Sequence, residues 1–171
     1  MTLLLTYILA ALLFSFLCSI AEAVILSITP AHIALLEKKG HPAAGKLQQL
    51  KREINQPLAA ILTLNTIAHT VGAAGAGAQA TVVFGSGSIG VVSALLTLLI
   101  LVFSEIIPKT LGAYYWRELA PVTAQLLQLL VWLLYPFVLL SEKITARFAD
   151  EPMMSGMSRG EFQAISKLSE A

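Results

Sequence analysis

Formal charge is scarce in this sequence. Between Glu53 and Glu105 there is no Asp, Glu, Lys or Arg, and charged residues make up 12% of the 171 against 57% hydrophobic. A soluble domain would be nearer a quarter charged, so that class is excluded. Cysteine is represented by Cys18 alone, inside the first apolar run, which rules out a disulfide framework. The net charge is only +1 and no basic patch is present, so no nucleic-acid partner is expected. A basic n-region is also missing, and the first apolar run is too long for a signal-peptide core. It reads as a retained span. The glycines of GSGSIG, residues 85–90, lack the lysine and the strand–helix setting of a phosphate-cradling loop, and read as a plain turn. Serine and histidine occur, but without a nucleophile motif or a third residue to orient His69. An enzyme is therefore not expected.

What the chain does have is apolar length. A helix crosses hydrocarbon in about 20 residues, and three runs reach that. They cover about 3–28, ending near Pro30; 57–84, opening at Pro57; and 89–107. The expected fold is thus an all-α integral membrane protein with three transmembrane helices, surrounded by the lipid bilayer. The stretch HIALLEKKGHPAAGKLQQLKREINQ, between the first two spans, is polar and amphipathic and is broken at Gly40, His41 and Pro42. It reads as a helical hairpin. Its Lys38, Lys39, Lys46, Lys51 and Arg52 assign it to the cytoplasm by the positive-inside rule, with the N-terminus outside.

The segment 122–140 is long enough to cross, but Pro121 and Pro136 interrupt it and Gln125 and Gln128 lie on it. A fourth crossing would leave Lys143, Arg147, Arg159 and Lys167 outside. A bent juxtamembrane belt helix over about 119–148, lying along the cytoplasmic face, is the preferred reading. The polar stretch 149–171 reads as a cytoplasmic tail that begins a regulatory region, with a flexible natural tail as the alternative.

Polar groups inside spans are costly, and they usually mark a pathway or a binding site. Ser15, Ser19 and Glu22 share one helical face of the first span, and Asn65 and His69 stand one turn apart in the second. Ser93, Thr97 and Ser104 lie near one face of the third, beside Glu105. Blander roles compete with binding. A membrane serine or threonine often bonds back to the carbonyl one turn earlier, Asn65 can act as interhelical glue, Glu22 can snorkel or cap at the interface, and His69 reads as a packed, hydrogen-bonded histidine. Glu105 is harder to dismiss. Three residues later Pro108 has no N–H, so the Ser104 carbonyl loses its helical partner beside a carboxylate. Hydroxyls, an amide, a carbonyl and a carboxylate form an all-oxygen set, which suits Mg2+, Ca2+ or Na+ better than zinc or copper. The small residues GAAGAGAQA, 72–80, read as close packing between spans or across a dimer.

SIAEAVILSIT, LTLNTIAHTVGA and SEIIPKTLG, in that order, resemble the transmembrane domain of the CorC and cyclin-M (CNNM) magnesium transporters. The resemblance covers about residues 1–148. It implies a homodimer with three transmembrane helices and a belt helix per subunit, followed by cytosolic nucleotide-binding CBS modules that this chain lacks. It also implies a dehydrated Mg2+ held by Ser15 and Ser19, Asn65, the Ser104 carbonyl and Glu105. Two positions depart from the family pattern. Ser104 stands where glycine is common, and His69 stands where a second asparagine is frequent, which bears on Mg2+ specificity and pH sensitivity. The expected function is divalent cation transport, Mg2+ first, by alternating access with Na+ as a candidate driving ion, in a plasma or bacterial inner membrane. A membrane scaffold or ion-sensing regulator is the alternative.

Overall fold

The computed structural model describes residues 1–146, with side chains to 144; the expected tail and the end of the expected belt lie outside the described residues. Helix α1, Thr2–Ser27, is built almost wholly from leucine, alanine and other apolar residues. It ends where Ile28 turns extended and Thr29 begins a new cap. The Thr29 hydroxyl accepts from the His32 N–H at 3.3 Å, and Pro30 takes the first helical position, where a missing N–H costs nothing.

Helices α2, Pro30–Lys38, and α3, Ala43–Arg52, form the hairpin. Gly40 supplies the left-handed turn between them at φ 67°. The Gly40 N–H bonds to the Glu37 carbonyl and the His41 N–H to the Leu36 carbonyl, both at 2.9 Å, so the last carbonyls of α2 are satisfied. Lys51 reaches back to donate to the Ile25 carbonyl at 3.0 Å, tying the hairpin to the end of α1. Burial there lowers its pKa below the usual lysine range.

Helix α4, Asn55–Phe84, returns through the bundle. After Gly85 the chain runs helically from Ser86 to Tyr114 as one apolar stretch. It comprises α5, Ile89–Leu99, a π-helical segment, Ile100–Ile106, and α6, Ile107–Tyr114. The apolar reading of the sequence stops at 107, whereas the helix itself continues past Pro108. Three helical stretches, Thr2–Ser27, Asn55–Phe84 and Ser86–Tyr114, are long and apolar enough to cross a membrane. Helices α7, Trp116–Leu133, and α8, Tyr135–Ala146, meet at 80°. Pro136 sits at the break, where it cannot bond to the carbonyl four residues earlier.

Close packing of α1 on α4 forms the centre of the bundle. A Cβ at Gly72 would collide with Ala11, and one at Gly75 with the Tyr7 ring. The small residues of α4 therefore let two spans of the same chain approach closely. A large apolar cluster joins the end of α1 (Val24, Ile25, Ile28) to Leu47 of the hairpin and Leu127 of α7. A small one at the far end joins Leu4, Ala76, Ala80 and Leu96. Large apolar side chains face outward, with Leu62 67% and Val91 73% exposed, as contact with lipid requires.

Candidate functional site

Three spans bring polar groups together on the hairpin side of the Gly72–Ala11 contact. On α1, Ser15 and Ser19 lie one turn apart and are 0% and 1% exposed. On α4, Asn65 and His69 are likewise one turn apart. In the third span the helix widens over Ile100–Ile106, and the Ile107 N–H bonds to the Val102 carbonyl, five residues back. Pro108 then falls in the first turn of α6, where it needs no donor. The register change thus begins well before the proline that signals it, and such π turns are frequent at functional sites. The segment turns Ser104 toward α1, where its hydroxyl donates to the Leu12 carbonyl at 3.1 Å.

Glu105 is shared between two neighbours. The Asn65 Nδ2 donates to its Oε1 at 3.4 Å, and the Lys109 ammonium lies 3.4 Å from its Oε2. The same ammonium lies 3.3 Å from Glu22 Oε2 on α1. Gly112 makes this possible, because a Cβ there would stand 2.9 Å from both the Ile20 carbonyl and the Ala23 Cβ. Helix α6 can therefore lie directly against α1 beside Glu22. Two buried oxygens nearby, Ser19 Oγ and Asn65 Oδ1, have no hydrogen-bond partner. Buried polar atoms are nearly always paired, so these two oxygens on facing helices are open to a further partner. Among the described residues no group of three or more His, Cys, Asp or Glu is arranged for a metal. The donors here are mainly neutral oxygens with one carboxylate, which fits a hard cation and not a nitrogen- or sulfur-seeking one.

The family described as Cyclin M transmembrane N-terminal domain (CNNM) matches residues 6–171. The chain belongs to this family. It is 36% identical over 157 residues, 92% of its length, to UPF0053 protein sll1254 of Synechocystis, covering 45% of that relative. A UPF0053 protein of Haemophilus influenzae is 28% identical over 125 residues, 73% of this chain and 30% of the relative. The UPF0053 inner membrane protein YfjD of Escherichia coli is 27% identical over 110 residues, 64% of this chain and 26% of the relative. The chain spans less than half the length of each of these relatives.

Within this cyclin M domain the five expected site residues are not equivalent. Asn65 and Glu105 are in contact, and Ser19 offers a free buried oxygen. Ser15 is engaged: its Oγ and the His69 Nε2 share a 2.6 Å hydrogen bond, which accounts for His69 as a bonded histidine and leaves Ser15 lone pairs for another partner. The Ser104 hydroxyl donates its hydrogen to the Leu12 carbonyl on α1, which fixes the side chain against α1 and leaves its oxygen lone pairs as acceptors. Ser93 and Thr97 are exposed on the outer side of α5, and Thr97 bonds back to the Ser93 carbonyl at 2.9 Å. They do not join the cluster. The sequence analysis put Glu22 on the polar face of the first span but did not bring Lys109 to it. The available signal was the four-residue spacing of Glu105 and Lys109 on one helix.

Proposed function

We propose that the chain moves a hard divalent cation, Mg2+ before others, across a membrane by alternating access, with transport and not catalysis as its role. The ion sits dehydrated among Ser15, Ser19, Asn65, the Ser104 carbonyl and Glu105, and Na+ is the candidate coupling ion. One observation carries this reading: Ser19 Oγ and Asn65 Oδ1 are buried and unpartnered near the carboxylate that Asn65 itself contacts. A cation would satisfy both atoms, while Glu105 offsets the ion's lost hydration. Membership of the cyclin M family supports the same role.

The basic hairpin and the helices after Trp116 lie on the cytoplasmic side, with α7 and α8 as a belt against the membrane face, in a plasma or bacterial inner membrane. A homodimer, with a regulatory region of the CBS kind acting on it, completes the proposal. The rival reading, a regulator that senses ions without moving them, draws on the ion pair that already occupies Glu105. Mg2+ flux into vesicles reconstituted with the chain separates the two. Uptake that is lost in Glu105→Gln supports transport; Mg2+ binding without flux supports the regulator.

A further inference from the structure

An isolated carboxylate deep in a span is costly when it has no counter-charge. Glu105 must therefore be compensated both with and without a bound cation. The Lys109 ammonium supplies such a charge, lying between two carboxylates on different helices, 3.4 Å from Glu105 and 3.3 Å from Glu22. Lysine is suited to such a role, as a point charge on a flexible four-carbon stem. Glu105 is engaged at both oxygens, by Asn65 Nδ2 and by Lys109, while Ser19 Oγ and Asn65 Oδ1 have no protein partner. An arriving cation can take the neutral oxygens at once, but must compete with the ammonium for the carboxylate. Glu22 is already in contact with that ammonium, so Lys109 can yield by a change of side-chain rotamer, without backbone movement.

Resting on the cation-transport reading above, we propose that Lys109 is a tethered counter-ion of the transport site. It holds Glu105 when the site has no cation and passes wholly to Glu22 when the cation binds. Glu22 is then a positioning residue that acts through Lys109. Because Lys109 neutralises Glu105 from within, the carrier has a charge-compensated state that holds no Mg2+.

The test combines equilibrium Mg2+ binding to the purified chain in detergent with two vesicle assays, net Mg2+ uptake and Mg2+–Mg2+ exchange. Lys109→Gln should bind Mg2+ at least about threefold more tightly, the scale of a partly exposed ion pair, and Lys109→Arg should return the affinity toward wild type. Glu22→Gln should weaken binding by a similar factor, since Lys109 is left with Glu105 alone. In the Lys109→Gln background the Glu22→Gln change should lose more than half of its effect, because it acts through the lysine. Lys109→Gln should also lose net uptake while keeping exchange. Unchanged or weaker binding in Lys109→Gln overturns the proposal. So does a Glu22→Gln effect that persists in full without Lys109, since a simple field effect would do so. If Lys109→Gln does not fold, unchanged or tighter binding in Glu22→Gln overturns it by itself. Wild-type protein that binds no Mg2+ would overturn the transport reading, and this one with it.

Discussion

Replacing Gly72 by alanine adds one methyl group where α1 and α4 touch. The new Cβ would overlap Ala11 Cβ and lie 3.5 Å from its Cα and 3.6 Å from the Tyr7 carbonyl. These neighbours are backbone or a single methyl, so no flexible side chain can swing away. The two helices must separate instead, and a gap of 0.5–1 Å forfeits about a quarter to a half of each dispersion contact along the interface. Overpacking of this kind costs about 1–3 kcal/mol. The better helix propensity of alanine returns about 1 kcal/mol at most, so a net loss of up to roughly 2 kcal/mol is expected.

The partner substitution makes the reasoning specific. Ala11→Gly removes the colliding methyl group from the other side. The double variant should be more stable than the sum of the single changes implies, by about 1 kcal/mol or more. Thermal unfolding of the four proteins in one detergent measures this. Additive effects of the two changes would refute the packing of α1 on α4 described above.

Other predictions concern the third span and the orientation. Pro108→Ala should weaken Mg2+ binding several-fold, because the restored N–H can bond to the Ser104 carbonyl and draw the π turn toward ordinary helical register; an unchanged titration would separate the proline from the site. Ser93→Ala and Thr97→Ala should leave Mg2+ affinity within about twofold, the scale of an exposed surface change, and a larger loss in the same titration would bring α5 into the site. A cysteine at position 87 should label from outside intact cells and one at position 46 should not; the reverse pattern would invert the proposed orientation.

Several of these features were legible in the sequence because their signals are local. Uninterrupted apolar length marked the three spans, Gly40 and Pro42 marked the hairpin turn, and Pro136 marked the bend between α7 and α8. Asn65 and Glu105 stood out as polar groups inside apolar runs, but their contact depends on how α4 packs on the third span. The π segment was less accessible. Pro108 announces a disturbed ladder, but nothing in ILVFSEI says that the wider register starts at Ile100. The small residues 72–80 raised two possibilities, packing within the chain or between chains. Only the facing residues, Ala11 and Tyr7, show that Gly72 and Gly75 serve contacts within the chain. The contact of Lys109 with Glu22 was not legible, because it depends on how α6 lies on α1.

The central claim is that Glu105 supplies the charge at a cation site whose neutral oxygens include Ser19 and Asn65. A Mg2+ titration of the purified chain, wild type against Glu105→Gln, tests it most directly. The amide keeps the shape of the side chain and removes its charge. A lost charge-assisted contact costs about 1.5–3 kcal/mol, so affinity should fall by at least about tenfold. Equal Mg2+ affinity in the two folded proteins would contradict the account.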